Sequence, residues 1–162
     1  MRTLALTLAA CLVAGCSSGQ PQAARTPSTA RPGLLSLTAA NFLDTDQNRY
    51  ADRATVLVFI FPDSARYELP MHAEGEFLFR LDDPKGKPIR EWRFDRQQAA
   101  AAARQLGPGP GYAFELSLLQ NGSDRLEASD GVLVCRFTPV QGEPIGTRAG
   151  SPVVLGRVGG RR

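Results

Sequence analysis

The chain has 162 residues, with 19 Lys and Arg against 16 Asp and Glu, a formal charge of +3 and a hydrophobic fraction of 43%. That length gives one domain of ordinary size, and the charges are too evenly balanced for a nucleic-acid-binding face. Gly33 to Thr138 carry 12 basic and 15 acidic residues, a net of −3, while Pro139 to Arg162 carry Arg148, Arg157, Arg161 and Arg162 against Glu143, a net of +3; the basic charge sits at the ends and forms no stripe along the domain.

The opening segment MRTLALTLAACLVAGCSS starts with Arg2 and continues with an apolar run from Leu4 to Ala14. Such a run suits a secretory signal and falls short of the roughly 20 apolar residues that span a bilayer. It ends Leu12-Val13-Ala14-Gly15-Cys16, which resembles the lipobox read by the bacterial lipoprotein signal peptidase. The resemblance implies that residues 1–15 are a signal peptide and that Cys16 receives a diacylglycerol on sulfur and an acyl chain such as palmitate on its amino group. Two or three chains anchor a protein that one chain holds only marginally, since each buried methylene adds about 0.8 kcal/mol. Ser17 follows where an aspartate would retain an enteric-type lipoprotein in the inner membrane, so the resemblance points to the outer membrane, facing the periplasm. Residues 16–32, rich in Ser, Gln, Ala, Thr and Pro, read as a flexible tether.

Strand signals fill residues 33–138. GLLSLT sets Leu35 and Leu37 on one face, and ATVLVFIF is apolar throughout, as a strand covered on both sides would be. GEFLFRL alternates Phe77, Phe79 and Leu81 with polar or outward residues, and DDPKGKP supplies the turn into IREWRFD. There Ile89, Trp92 and Phe94 form a core set whose broken alternation predicts a bulge. DRQQAAAAARQL reads as a helix of about three turns, with Asp95 as N-cap and Gly107-Pro108 as the stop. GYAFELSLL and GVLVCRF complete six or seven strands, joined through QNGSDRLEASD. Residues 139–162, with many Gly and Pro and one apolar cluster at Val153-Val154-Leu155, read as a mostly disordered basic tail. The expected fold is an immunoglobulin- or transthyretin-like β-sandwich with one short crossover helix.

One motif suggests a ligand. Asp44, Asp46, Asn48 and Asp52 place oxygens at positions 1, 3, 5 and 9 of a loop, the spacing by which EF-hand and thrombospondin-like loops wrap calcium. Position 6, where glycine makes the sharp turn, is Arg49, and position 12, where an acid closes the sphere, is Thr55. Both departures weaken a site, and the same residues also make a good turn whose side chains bond their own backbone.

Other residues carry no constellation. His72 is the only histidine, and no HExxH, GxSxG or Cys-His arrangement surrounds it. Asp82-Asp83 lies in a turn and Glu74 with Glu76 in an alternating strand, so both pairs read as solvated. Gly107 to Gly111 lack the lysine and following helix of a phosphate cradle. Trp92, Phe94, Tyr112 and Phe114 fit a core better than a carbohydrate platform. With Cys11 in the signal and Cys16 lipidated, Cys135 stands alone in an apolar strand, so the domain has no internal disulfide and a buried, inert thiol is expected.

Taken over Leu34 to Pro139, FLDTDQNRYADRATVLVFIF, GEFLFRL, EWRF and GVLVCRFTP resemble the small uncharacterised lipoproteins of planctomycete-type bacteria, whose domain is a sandwich preceded by an Asp-rich loop. A weaker likeness is to the outer-membrane lipoprotein of type VI secretion systems. The sequence therefore points to a non-enzymatic envelope lipoprotein, held to the membrane through Cys16 and presenting its sandwich to an envelope protein partner, with no resident cofactor and no nucleic acid. The alternatives are a weak calcium- or glycan-binding module and an accessory lipoprotein of a secretion system.

Overall fold

A computed structural model describes residues 29–64, 67–120 and 122–158; Cys16, the signal and most of the tether lie outside them. Two antiparallel sheets stack into a β-sandwich. The first contains β1 (Pro32–Ala39), β2 (Arg53–Pro62), β6 (Gly109–Ser117) and β5 (Ala103–Leu106), in that spatial order. The second runs β4 (Pro88–Phe94), β3 (Gly75–Asp82), β7 (Asp130–Pro139) and β8 (Ile145–Gly146), with β9 (Ser151–Val154) also on β7.

Alternation decides which side chains meet between the sheets. Val56, Val58 and Ile60 of β2 and Tyr112, Phe114 and Leu116 of β6 face Phe77, Phe79 and Leu81 of β3 and Leu133, Cys135 and Phe137 of β7, all of them buried. Phe77 is the hub. Its ring centroid lies 4.8, 4.9 and 4.7 Å from those of Tyr112, Phe114 and Phe137, so rings from both sheets interlock in tilted pairs that add to plain area burial. Trp92 bridges the sheets by donating its indole N–H to Ser117 O at 2.9 Å. Burial pushes the Cys135 thiol pKa up, as expected of an inert core cysteine.

The second strand is covered on one face rather than two, because a two-layer sandwich leaves the outer face of each sheet bare: Thr55 is exposed and Leu57 half-buried, and only Phe59 finds cover on that side. The bulge falls where the broken alternation places it. Leu81 pairs with Arg90 and Asp82 with Pro88, so Ile89 is the extra residue on β4. From Arg90 onward the alternation is regular, so Arg90 shares a face with Trp92 and Phe94.

Two expectations are corrected. Helix α1 (Arg96–Ala102) has seven residues, not three turns. Asp95 does cap it, accepting from Gln98 N at 2.9 Å while Gln98 Oε1 accepts from Asp95 N, a reciprocal capping box. The helix ends at Ala103, which turns extended so that Ala103–Leu106 can pair with Gly109–Tyr112. Gly107-Pro108 is thus a hairpin turn within the sheet, and cross-strand bonding has overridden alanine's helix preference. The second correction concerns residues 139–162. Up to Val158 they are folded: Ile145 pairs with Phe137, and Asp130 to Leu133 pair with Val154 to Ser151. Val153 and Leu155 are each 3% exposed. Their burial offsets the entropy of ordering a Gly-rich segment.

The register also defines two ends. Pro32 pairs with Pro62 where the described chain joins the sandwich, and β3 starts nearby, since Met71 bonds Ile60. β1 runs for eight residues and stops at Ala39, so the loop between β1 and β2 lies at the opposite end, about 25 Å away at the usual strand rise. Helix α1 and the turn at Gly107 belong to the near end. The far end collects residues 40–52, residues 118–120 and 122–129, and Leu155–Val158.

Candidate functional site

The Asp-rich loop at the far end is built from its own side chains. The amide of Asn48 donates to Asp44 Oδ1 at 3.2 Å and Asp46 Oδ1 at 3.1 Å, drawing two carboxylates to one point, and the Arg49 amide donates to Asp44 Oδ2 at 2.8 Å. Asn48 Oδ1 accepts from Tyr50 N at 2.8 Å. Reversing direction so tightly requires left-handed backbone at Gln47 (φ 64°) and Arg49 (φ 72°). Arg49 thus adopts the conformation that glycine gives most cheaply at that position of a calcium loop, at a cost of about 1–2 kcal/mol.

Of the four oxygen residues, the structure gathers Asp44, Asp46 and Asn48 and turns Asp52 away. Asp52, 1% exposed, accepts from Thr45 Oγ1 at 2.6 Å and Thr45 N at 2.8 Å. Burial opposes its charged form, yet the bonds from Thr45 prevail and hold the carboxyl below the usual range. Among the described residues no three His, Cys, Asp or Glu side chains converge closely enough to hold a metal ion.

Residues that sequence reading missed hold this loop in place. Asp124, 4% exposed, accepts from Asn48 Nδ2 at 2.6 Å, and the neighbouring Arg125 guanidinium stands 5.6 Å from the Tyr50 ring centroid. Arg90, on the same face of β4 as Trp92, donates to Ser123 O at 3.0 Å and pins the same connection. From the other side the C-terminal segment straps the loop: Gly156 O accepts from Ala51 N at 2.9 Å, and Val158 N donates to Arg49 O at 2.8 Å. Only the apolar cluster at Val153 to Leu155 signalled this segment in the sequence. Beside the strap lies a groove lined by Phe42, Ala51, Val154, Leu155 and Val158, with Leu43 exposed next to the loop.

His72 stands at the near end, apart from the loop. Its Nε2 lies 3.0 Å from Gly111 O, and its ring meets Tyr112 edge-on at 5.2 Å. The Tyr112 hydroxyl donates to Ala73 O and accepts from Ala73 N, both at 2.8 Å; burial raises its pKa, and the bond to Ala73 only partly offsets this. Among the described residues no nucleophile or acid pairs with His72. Trp92, Phe94, Tyr112 and Phe114 all pack within the sandwich, Phe94 half-buried. Among the described residues no helix is long and apolar enough to cross a membrane. No protein-family model, curated protein or solved structure matches this chain.

Proposed function

We propose that this chain is a non-catalytic envelope lipoprotein, anchored through Cys16, whose sandwich offers its far end to a protein partner. What supports the reading most is the polarity of the domain: the described chain joins at one end, while the Asp-rich loop, its strap and the adjoining apolar groove lie together at the other. A tether on Cys16 leaves that end facing away from the membrane. The surface there also suits recognition, since its backbone is held by its own side chains and by the C-terminal strap, and a partner need not order it. Labelling with a clickable fatty acid tests the anchor: Cys16→Ser abolishes label and membrane retention together, and retention in the unlabelled mutant contradicts the proposal. Photo-crosslinkers at Leu43 and Val158 capture a common envelope protein, while one at Gln105 on the near end does not; capture only from Gln105 argues against the far end.

One observation favours a second reading, weak calcium binding by the loop: the left-handed turn is formed at Arg49 despite the missing glycine. With a dissociation constant of roughly 10⁻⁴ to 10⁻³ M, millimolar calcium stabilises by only about 0.4–1.4 kcal/mol. A rise of a few degrees in melting temperature, lost in Asp46→Ala, supports this reading. Identical melting in calcium and in chelator sinks it.

A further inference from the structure

At the near end a cleft of about 500 Å³ opens between α1 and the start of β3, with Ala99, Ala100, Ala103 and Tyr112 as its floor. The size is that of a small-molecule site. Its two lips differ in chemistry. One carries His72 and Glu74, the other Arg96 and Gln97 from the first turn of α1. The Gly111 carbonyl can only accept, so Nε2–H donates to it, and the first lip offers the Glu74 carboxylate beside the His72 ring. The second offers a guanidinium and an amide. Glu74 and Arg96 form no ion pair with each other or with any other described residue. Glu74 and Arg96, both exposed, therefore border the cleft as an anion and a cation on different elements, each without an ion-pair partner among the described residues.

The geometry points to a zwitterionic ligand of amino-acid or dipeptide size, its ammonium on the Glu74 and His72 lip, its carboxylate on the Arg96 and Gln97 lip, and a short apolar side chain over the alanines. Both ends of such a ligand meet the opposite charge, and bidentate contact with Arg96 fixes the carboxylate. An anionic or cationic ligand alone would leave one lip unmet. The small floor residues set the size: a larger side chain at Ala100 would occupy the space.

The test is titration of the isotope-labelled full chain, followed by amide NMR, with the dipeptide alanyl-leucine, its N-acetyl form and its C-terminal amide. The free dipeptide shifts Glu74, Gly75, Gln97 and Ala100 saturably, and blocking either end weakens binding about tenfold, the worth of one charge-assisted contact. Glu74→Gln removes the discrimination against the N-acetyl form only, and Arg96→Gln removes that against the amide only. Both side chains are exposed, so the variants keep the fold, which their spectra report directly. No saturable shift up to about 10 mM, weaker than any ordinary small-molecule site, or equal binding of all three forms, overturns the assignment.

Discussion

At the far end the amides of Asn48, Arg49, Tyr50 and Ala51 all donate to partners within the domain, whereas at the near end Glu74, Arg96 and Gln97 hold charged or polar side chains with no partner among the described residues. The far loop is exposed and polar yet fixed, by its own side chains and by groups from two distant stretches of chain. The near cleft rests on a short helix and small residues, and its polar side chains are exposed to solvent. Exposure alone therefore says little about order in this domain; the count of satisfied backbone groups says more.

Removing the strap breaks the comparison most severely. Deleting residues 155–162 exposes the bed of the buried Leu155 side chain and removes the partners of Ala51 N and Arg49 O, at a cost of about 3–5 kcal/mol. Chemical denaturation measures the loss, and hydrogen exchange should rise at Tyr50 and Ala51 while Tyr112 and Phe77 keep their protection. Equal loss at both ends would mean that the strap serves the whole fold.

Asp52→Asn comes next, costing about 1–3 kcal/mol at neutral pH by weakening the bonds from Thr45. The folded carboxyl has a depressed pKa, so its contribution is present above the unfolded value of about 3.9 and is lost as pH falls through the lower folded value. The gap between wild type and Asn in urea midpoints should shrink below about pH 4. A gap independent of pH would show that charge on Asp52 is irrelevant.

These two positions also show what the sequence makes legible. Strands β2, β3, β6 and β7 are plain in it because apolar alternation is a local signal that tertiary packing only reinforces. The bulge at Ile89 is visible for the same reason. The strap is not: Val153 and Leu155 alternate with Val154, but their burial depends on β7 and on a loop about a hundred residues earlier, and Gly150 and Gly156 around them read as disorder. Asp52 has the right spacing for a ligand, and spacing cannot reveal that Thr45 binds it instead. Arg104 to Leu106 follow a helical alanine run, yet pair as a strand because β6 needs an outer neighbour. Of the far-end brace, Asp124 and Arg125 were hidden in a connection that carries no periodic signal.

Two smaller changes sharpen the contrast. Arg49→Gly relieves left-handed strain at φ 72° and should stabilise by about 0.5–1 kcal/mol, the unfolded-state entropy of glycine offsetting part of the gain; a destabilised variant would show that the Arg49 side chain, not only its carbonyl, braces the loop. At the near end Ala100→Leu should change stability by less than about 0.5 kcal/mol, since the position is exposed, while abolishing the dipeptide-induced shifts.

The claim that the far end is a preformed surface is tested most directly by hydrogen exchange of the native chain, resolved at Asn48, Arg49, Tyr50 and Ala51. Their hydrogen bonds predict exchange slowed well beyond that of an unstructured peptide, despite the exposure of Asn48 and Arg49. Exchange at the unstructured rate at all four amides would contradict it, and would make the loop a segment that orders only on meeting a partner.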